Sequence, residues 1–268
     1  MSDWLTFLFW PFVACVVLVS IHIYFGMHII RRGIIFVDLS LAQVAAMGST
    51  MALLLGHEHD SSSAYMFSLS FSLLGAALFT ATRELERKVP QEAIIGIVYA
   101  VSAAASILMV SRSPEGAEHI RHLLVGSVLT VTPETVWRTA AIYTVVGAFH
   151  WFARRPFLRL TFSESGPPAS ARLWDFLFYA SFALVITLAV KIAGVLLVFI
   201  FLVVPAVIAA ILSDSIQARL IVGWVVGLIG SLLGLAASVW LDTPTGATIV
   251  CTFGLILALF ALVRLARR

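Results

Sequence analysis

Residues 191–206 read Lys-Ile-Ala-Gly-Val-Leu-Leu-Val-Phe-Ile-Phe-Leu-Val-Val-Pro-Ala, an apolar string charged only at its first position. Continued to about residue 212, it reaches the roughly 20 residues that cross a bilayer as a helix. Gly194 and Pro205 both cost helix stability, so their presence asks for a structural reason. A second string, Asp242-Thr-Pro244-Thr-Gly246-Ala-Thr-Ile-Val250, turns into another apolar run. A chain built from such segments must satisfy its backbone internally, which leaves helices.

The rest of the chain agrees. Of 268 residues, 61% are hydrophobic and 12% charged, too little polar surface for a water-soluble domain of this size. The run from Leu5 to about Met27 lacks a basic n-region and a small-residue cleavage site, so it reads as a retained span. We place helices at 5–29, 34–55, 65–82, 93–111, 134–152, 174–190, 192–212, 219–240 and 245–264. Residues 123–131 are too short to cross and read as a re-entrant or interfacial piece. The expectation is an all-α polytopic membrane protein of about eight to nine transmembrane helices, forming a single transmembrane domain over 1–268.

Loop charge sets the orientation. One set of loops holds thirteen Lys and Arg, among them Arg31, Arg32, Arg83, Arg87, Arg154, Arg155 and Arg159. The opposite set holds Arg112, Arg121 and Lys191. The first set is expected on the cytoplasmic side of a bacterial-type inner membrane, with the N-terminus outside and the C-terminus inside. Because the positive charge lies between spans, the sequence pI of about 9.1 gives no argument for nucleic acid. Cys15 and Cys251 lie in apolar runs and offer neither a disulfide framework nor metal-ligand spacing. The sequence holds no Gly-x-x-x-x-Gly-Lys-Ser/Thr loop, no His-Glu-x-x-His and no Gly-x-Ser-x-Gly. No catalytic residue or bound cofactor is expected in this chain, and ATP-driven work would need a separate ATPase.

Several residues have two readings. Asp38 is the acid nearest to being intramembrane, and ionisable groups in spans are functional candidates. It also lies close enough to Arg31 and Arg32 to pair with them or to cap a helix. Ser40, Gln43, Met47 and Thr50 recur at three- and four-residue steps and form a polar-leaning stripe facing the bundle interior. Asp38 and Gln43 are separated by about 140° around a helix and would not chelate one ion together without distortion. His57 and His59, with Glu58 and Asp60, carry donors that suit zinc or manganese, and equally suit an ordinary exposed loop. His22 and His28 read as buried hydrogen-bonding or interfacial groups. Pro205, followed by Ala206, Ala209 and Ala210, marks a thin, kinked helix. Gly223, Gly227, Gly230 and Gly234 form a small-residue face for close helix packing. Asp242 is expected to accept from free amides at the start of the last helix. The 154–172 stretch, with Arg154, Arg155, Arg159 and Glu164, is either a surface helix docking a cytoplasmic partner or a loop touching anionic lipid.

Together these motifs resemble the permease subunits of metal-ion ABC importers, the family that takes up zinc, manganese or iron. Lys191, Gly194, Leu196, Leu197, Pro205 and Ala206 match its Lys-x-x-Gly-x-Leu-Leu run ending in Pro-Ala. Pro244, Gly246, Ala247, Thr248, Ile249 and Val250 match its turn into the last span. Pro90 to Gly96, Leu124-Val-Gly126-Ser127 and Arg31-Arg32 are looser matches. The resemblance implies a type II ABC importer-like permease bundle, working as a homodimer or with a paralogue. It also implies a cytoplasmic ABC ATPase that binds the ATP, and an extracytoplasmic binding protein that delivers the ion. Asp38 and Gln43 would line the path, and 154–172 would couple to the ATPase. Two departures stand out. The family's Gly-Asp-x-x-Ser-His-x-x-x-Pro-Gly becomes, aligned on Gly48, a segment with Asp38 at the Gly, Leu39 at the Asp, Gln43 at the His and Met47 at the Pro. The family's Phe-Asp-x-x-x-Ala becomes Phe162-Ser163-Glu164-Ser165-Gly166-Pro167. Two alternatives stay open: a permease for a siderophore- or vitamin-like organic substrate, and a membrane protein that assembles or regulates partners without transporting.

Overall fold

The computed structural model describes residues 2–58, 61–111, 124, 126, 128–162 and 170–267. Their order is α1 (Ser2–Arg32), α2 (Val37–Leu54), α3 (Ser62–Thr82), a 3-10 turn (Arg83–Arg87), α4 (Gln91–Val110), a second 3-10 turn (Val128–Thr130), α5 (Pro133–Phe152), α6 (Arg154–Phe162), α7 (Ala171–Leu212), α8 (Ile216–Leu241) and α9 (Thr245–Ala266). No strand occurs among the described residues. Seven of these helices (α1, α2, α3, α4, α7, α8 and α9) are long and apolar enough to cross a membrane. The chain is an integral membrane protein.

Helix α7 runs for 42 residues. At 1.5 Å per residue that is about 63 Å, twice the hydrocarbon thickness. The expected division at Lys191 is displaced. Helix continues through Lys191 and breaks at Gly194, where φ is 75° and ψ is 163°. Lys191 is exposed, and a long ammonium side chain can reach water without ending the helix. Gly194 lacks the Cβ that closes this torsion region to other residues. No non-helical torsion accompanies Pro205, so the break in the backbone lies at the glycine.

The chain forms two compact units. The first comprises the described parts of 1–30, 125–144 and 191–268. Here the glycine face of α8 serves two partners in turn. A Cβ on Gly223 or Gly227 would strike Ile23 or Val19 of α1, while one on Gly230 or Gly234 would strike Phe253 or Ile249 of α9. Helix α1 approaches the backbone of α7 just before Pro205: a Cβ on Gly26 would strike the Leu202 carbonyl and crowd Ala206. Helix α8 starts at Ser215, whose hydroxyl accepts from the Ala218 amide at 3.2 Å. The expected role of Asp242 is corrected. It ends α8 in the left-handed region, with φ of 50° and its amide donating to Ser238 O. Short polar Asp tolerates that conformation. At the start of α9 no side chain caps the amides. The turn is held instead by Thr243 to Thr248 and Ser238 to Thr245 hydroxyl pairs, at 2.7 and 3.0 Å.

The second unit comprises the described parts of 31–124 and 145–190. Helices α2, α3 and α4 form its centre. Gly48 of α2 lies so close to α3 that a Cβ would sit 2.6 Å from the Phe67 carbonyl oxygen. Ser61 starts α3 by accepting from the Ala64 amide at 3.1 Å. Of the expected re-entrant or interfacial piece at 123–131, residues 128–130 form the second 3-10 turn, which belongs to the first unit.

Candidate functional site

Asp38 sits in the first turn of α2 and is 1% exposed. Neither carboxylate oxygen has a hydrogen-bond partner among the described residues. Among the described residues neither a cap bond nor an arginine pair is seen at Asp38. Phe36 is the N-cap of α2, with no side-chain cap bond, and Arg32 is committed elsewhere. The Ser40 and Ser72 hydroxyls are likewise buried without a partner among the described residues. Along the polar stripe of α2, Ser40 and Thr50 are buried while Gln43 and Met47 are half-buried.

His57 follows the other end of α2. Its amide donates to Ala52 O at 3.1 Å and its ring lies 5.9 Å from that of Phe67. Nineteen residues of helix-like rise separate it from Asp38, about 28 Å, so the two do not share a site. His59 lies outside the described residues. Among the described residues no three His, Cys, Asp or Glu side chains gather as a metal cluster. His22 is buried, and its Nδ1 donates to Leu18 O at 2.6 Å, a local hydrogen bond of the kind expected.

The 154–162 segment is the surface helix α6. Phe157 and Leu160 are buried, while Arg154, Arg155 and Arg159 are exposed. The amphipathic pattern fixes this arrangement, with apolar residues three apart on one side and arginines on the other. Phe157 stacks on the His150 ring at 4.1 Å and meets Trp174 edge-on at 5.4 Å. Arg154 lies over the Trp151 ring at 4.7 Å. Glu164 lies outside the described residues.

Beneath α6 lies a cluster that the residue-by-residue reading missed. Arg32 Nη1 donates to Asp175 Oδ1 at 3.1 Å, and Arg32 Nε donates to the Thr161 hydroxyl oxygen at 2.9 Å. Its guanidinium also sits 4.1 Å from the centre of the Phe178 ring. Arg83, in the first 3-10 turn, pairs with the other oxygen of Asp175. The Asp175 side chain is 2% exposed and that of Arg32 6%. At the surface, Arg172 pairs with Glu84, a second bridge between α7 and the same turn. The available signal was an acid placed inside the expected 174–190 span, which is by itself a functional flag.

A family model described as the ABC 3 transport family matches residues 5–265. The chain belongs to that family. Among curated relatives, a "Probable iron transport system membrane protein" of Haemophilus influenzae is 26% identical over 196 residues, covering 70% of this chain and 69% of that protein. The manganese import system permease protein ScaB of Streptococcus parasanguinis is 22% identical over 230 residues, covering 85% and 80%. Among solved structures, PsaBC from Streptococcus pneumoniae in complex with Fab superposes with a TM-score of 0.78. It is 20% identical, and the match covers 97% of this chain and 93% of that one. That likeness shows a shared fold. Pro205, Gly194, Pro244 and Gly246, which carried the resemblance, all lie in the first compact unit of this ABC 3 chain.

Proposed function

We propose that this ABC 3 chain is the membrane-spanning permease of an ATP-driven importer for divalent metal ions, zinc or manganese first. The observation that carries the reading is Asp38, a buried carboxylate in a membrane helix with no partner among the described residues. A group left in that state costs stability, so a passing cation is the partner that gives it a use. The ion is the cargo. Asp38 and Gln43 line its path, and His57 and His59 collect ions at the outer mouth. The names of the iron and manganese relatives support this substrate class. Arg154, Arg155 and Arg159 on α6, with Glu164 beyond it, dock a cytoplasmic ABC ATPase, which binds and hydrolyses the ATP. This chain binds no cofactor and performs no hydrolysis itself. An extracytoplasmic binding protein delivers the ion, a second copy of the permease completes the assembly, and anionic lipid meets the basic loops. The N-terminus is outside and the C-terminus cytoplasmic, in a bacterial-type inner membrane.

The test is elemental mass spectrometry on cells lacking the chain, with and without its restoration, grown in metal-poor medium. A restored rise in zinc, manganese or iron alone supports the reading and names the ion. No change in any metal, with the protein present in the membrane, overturns it. That result would favour an organic or chelated substrate, the reading to which Gln43, standing where the family usually carries histidine, already points.

A further inference from the structure

We infer that Asp175 is a positioning residue for energy coupling, holding Arg32 and Arg83 in one buried ion cluster that sets the seat of α6. The inference rests on the reading that α6 docks the ATPase. Its basis is the division of labour on α6. Phe157 and Leu160 hold the helix down by apolar burial and, at Phe157, by ring contacts with His150 and Trp174, which favour a seat less sharply than a hydrogen bond to a charged group. Among the described residues, a directional contact from the buried side of α6 is the Thr161 hydroxyl, which accepts from Arg32 Nε. Thr161 is one turn beyond Phe157 on the buried side, about 200° around the helix from Arg159. A load applied to the arginine face is therefore resisted at Thr161 and passed to Arg32.

Arg32 cannot yield alone. Its guanidinium is fixed by Asp175 Oδ1 and by the Phe178 ring face. The second Asp175 oxygen holds Arg83. One carboxylate thus ties together the last turn of α1, the turn after α3, the base of α7 and, through Arg32, the end of α6. Buried ion clusters add little net stability compared with apolar packing, and their use is to fix geometry; here Nε and Nη1 of Arg32 are engaged. The exposed pair of Arg172 and Glu84 repeats the link between α7 and the turn without touching α6, a weak contact beside the buried one.

The experiment uses the whole assembly, permease with its ATPase and binding protein, in proteoliposomes. Manganese, zinc and iron(II) are each supplied alone, and metal delivered per ATP hydrolysed is read beside ATPase co-purification. Thr161→Val removes the hydroxyl that accepts from Arg32 while keeping the side chain's shape. It should keep the ATPase bound and hydrolysing while metal delivered per ATP falls about tenfold, the equilibrium worth of one hydrogen bond to a charged group. Thr161→Ser keeps the hydroxyl and should match the parent, a rescue that simple loss of packing would not give. Asp175→Asn should fall at least as far; if it is absent from the membrane, the two Thr161 variants decide alone. Parent-like metal per ATP in Thr161→Val overturns the inference. The docking reading is checked separately with Arg155→Glu and Arg159→Glu combined. Loss of the ATPase there, with Thr161→Val unchanged, leaves docking intact and removes only the clamp. Retention of the ATPase there, or a parent that moves none of the three metals, overturns the underlying reading and the inference with it.

Discussion

Asp38→Leu should raise stability and abolish transport together. Each buried polar atom left unsatisfied costs about 1–3 kcal/mol, and both Asp38 oxygens are in that state among the described residues. Leu removes both and returns apolar surface to a site that is 1% exposed. Its extra bulk costs about 1–3 kcal/mol in a packed interior. The net expectation is a gain of about 1–3 kcal/mol, from the difference of those two terms. Thermal unfolding of the purified protein in detergent, compared with the parent in the same micelle, reads the stability. Uptake of metal by cells carrying the variant should sit at the level of cells without the protein. A variant that unfolds more easily while transporting normally refutes the reasoning, because Asp38 would then be a structural group with a partner.

Two further substitutions test backbone geometry. Gly194→Ala forces a Cβ into a torsion region that costs a non-glycine residue about 1–3 kcal/mol, and an unfolding midpoint equal to the parent's would contradict the break at that position. Gly234→Ala places a Cβ 2.8 Å from the Ile249 Cα and should destabilise by about 1–3 kcal/mol. Gly254→Ala, with open space around it, is the matched control and should cause no loss; equal behaviour of the two would dismiss the α8–α9 contact.

The spans were legible because apolar runs of bilayer length have few alternative folds, and the observed helices follow the expected ones closely. The errors lie where a local rule met a three-dimensional partner. Lys191 looked like a boundary because charge ends spans, yet a lysine can extend to water from a continuing helix, and the torsion break fell at Gly194. Asp242 looked like a cap for α9 because acids favour helix starts, but the tight turn needed a residue that tolerates positive φ, and it became the end of α8. Asp38 was ambiguous from sequence because Arg31 and Arg32 stand nearby. Asp175, some 140 residues on, takes Arg32, and among the described residues Asp38 has no hydrogen-bond partner. No spacing rule connects those two acids; only the fold does.

The last helix carries a consequence of its own. Its buried residues, Thr245, Gly246, Ile249 and Phe253, all fall in its first half. Beyond Phe253 no position of α9 is buried. The two halves therefore answer to different solvents. Substitutions in the first half are judged by shape, atom against atom, and a single methyl can be rejected. Those in the second half are judged by partition, where nearly any apolar side chain serves and a charge is tolerated only in the last turn, as at Arg264, which donates to Ile211 O. Sequence drift along α9 should widen abruptly within one turn of Phe253, so that a single helix holds both a jigsaw and an oil phase.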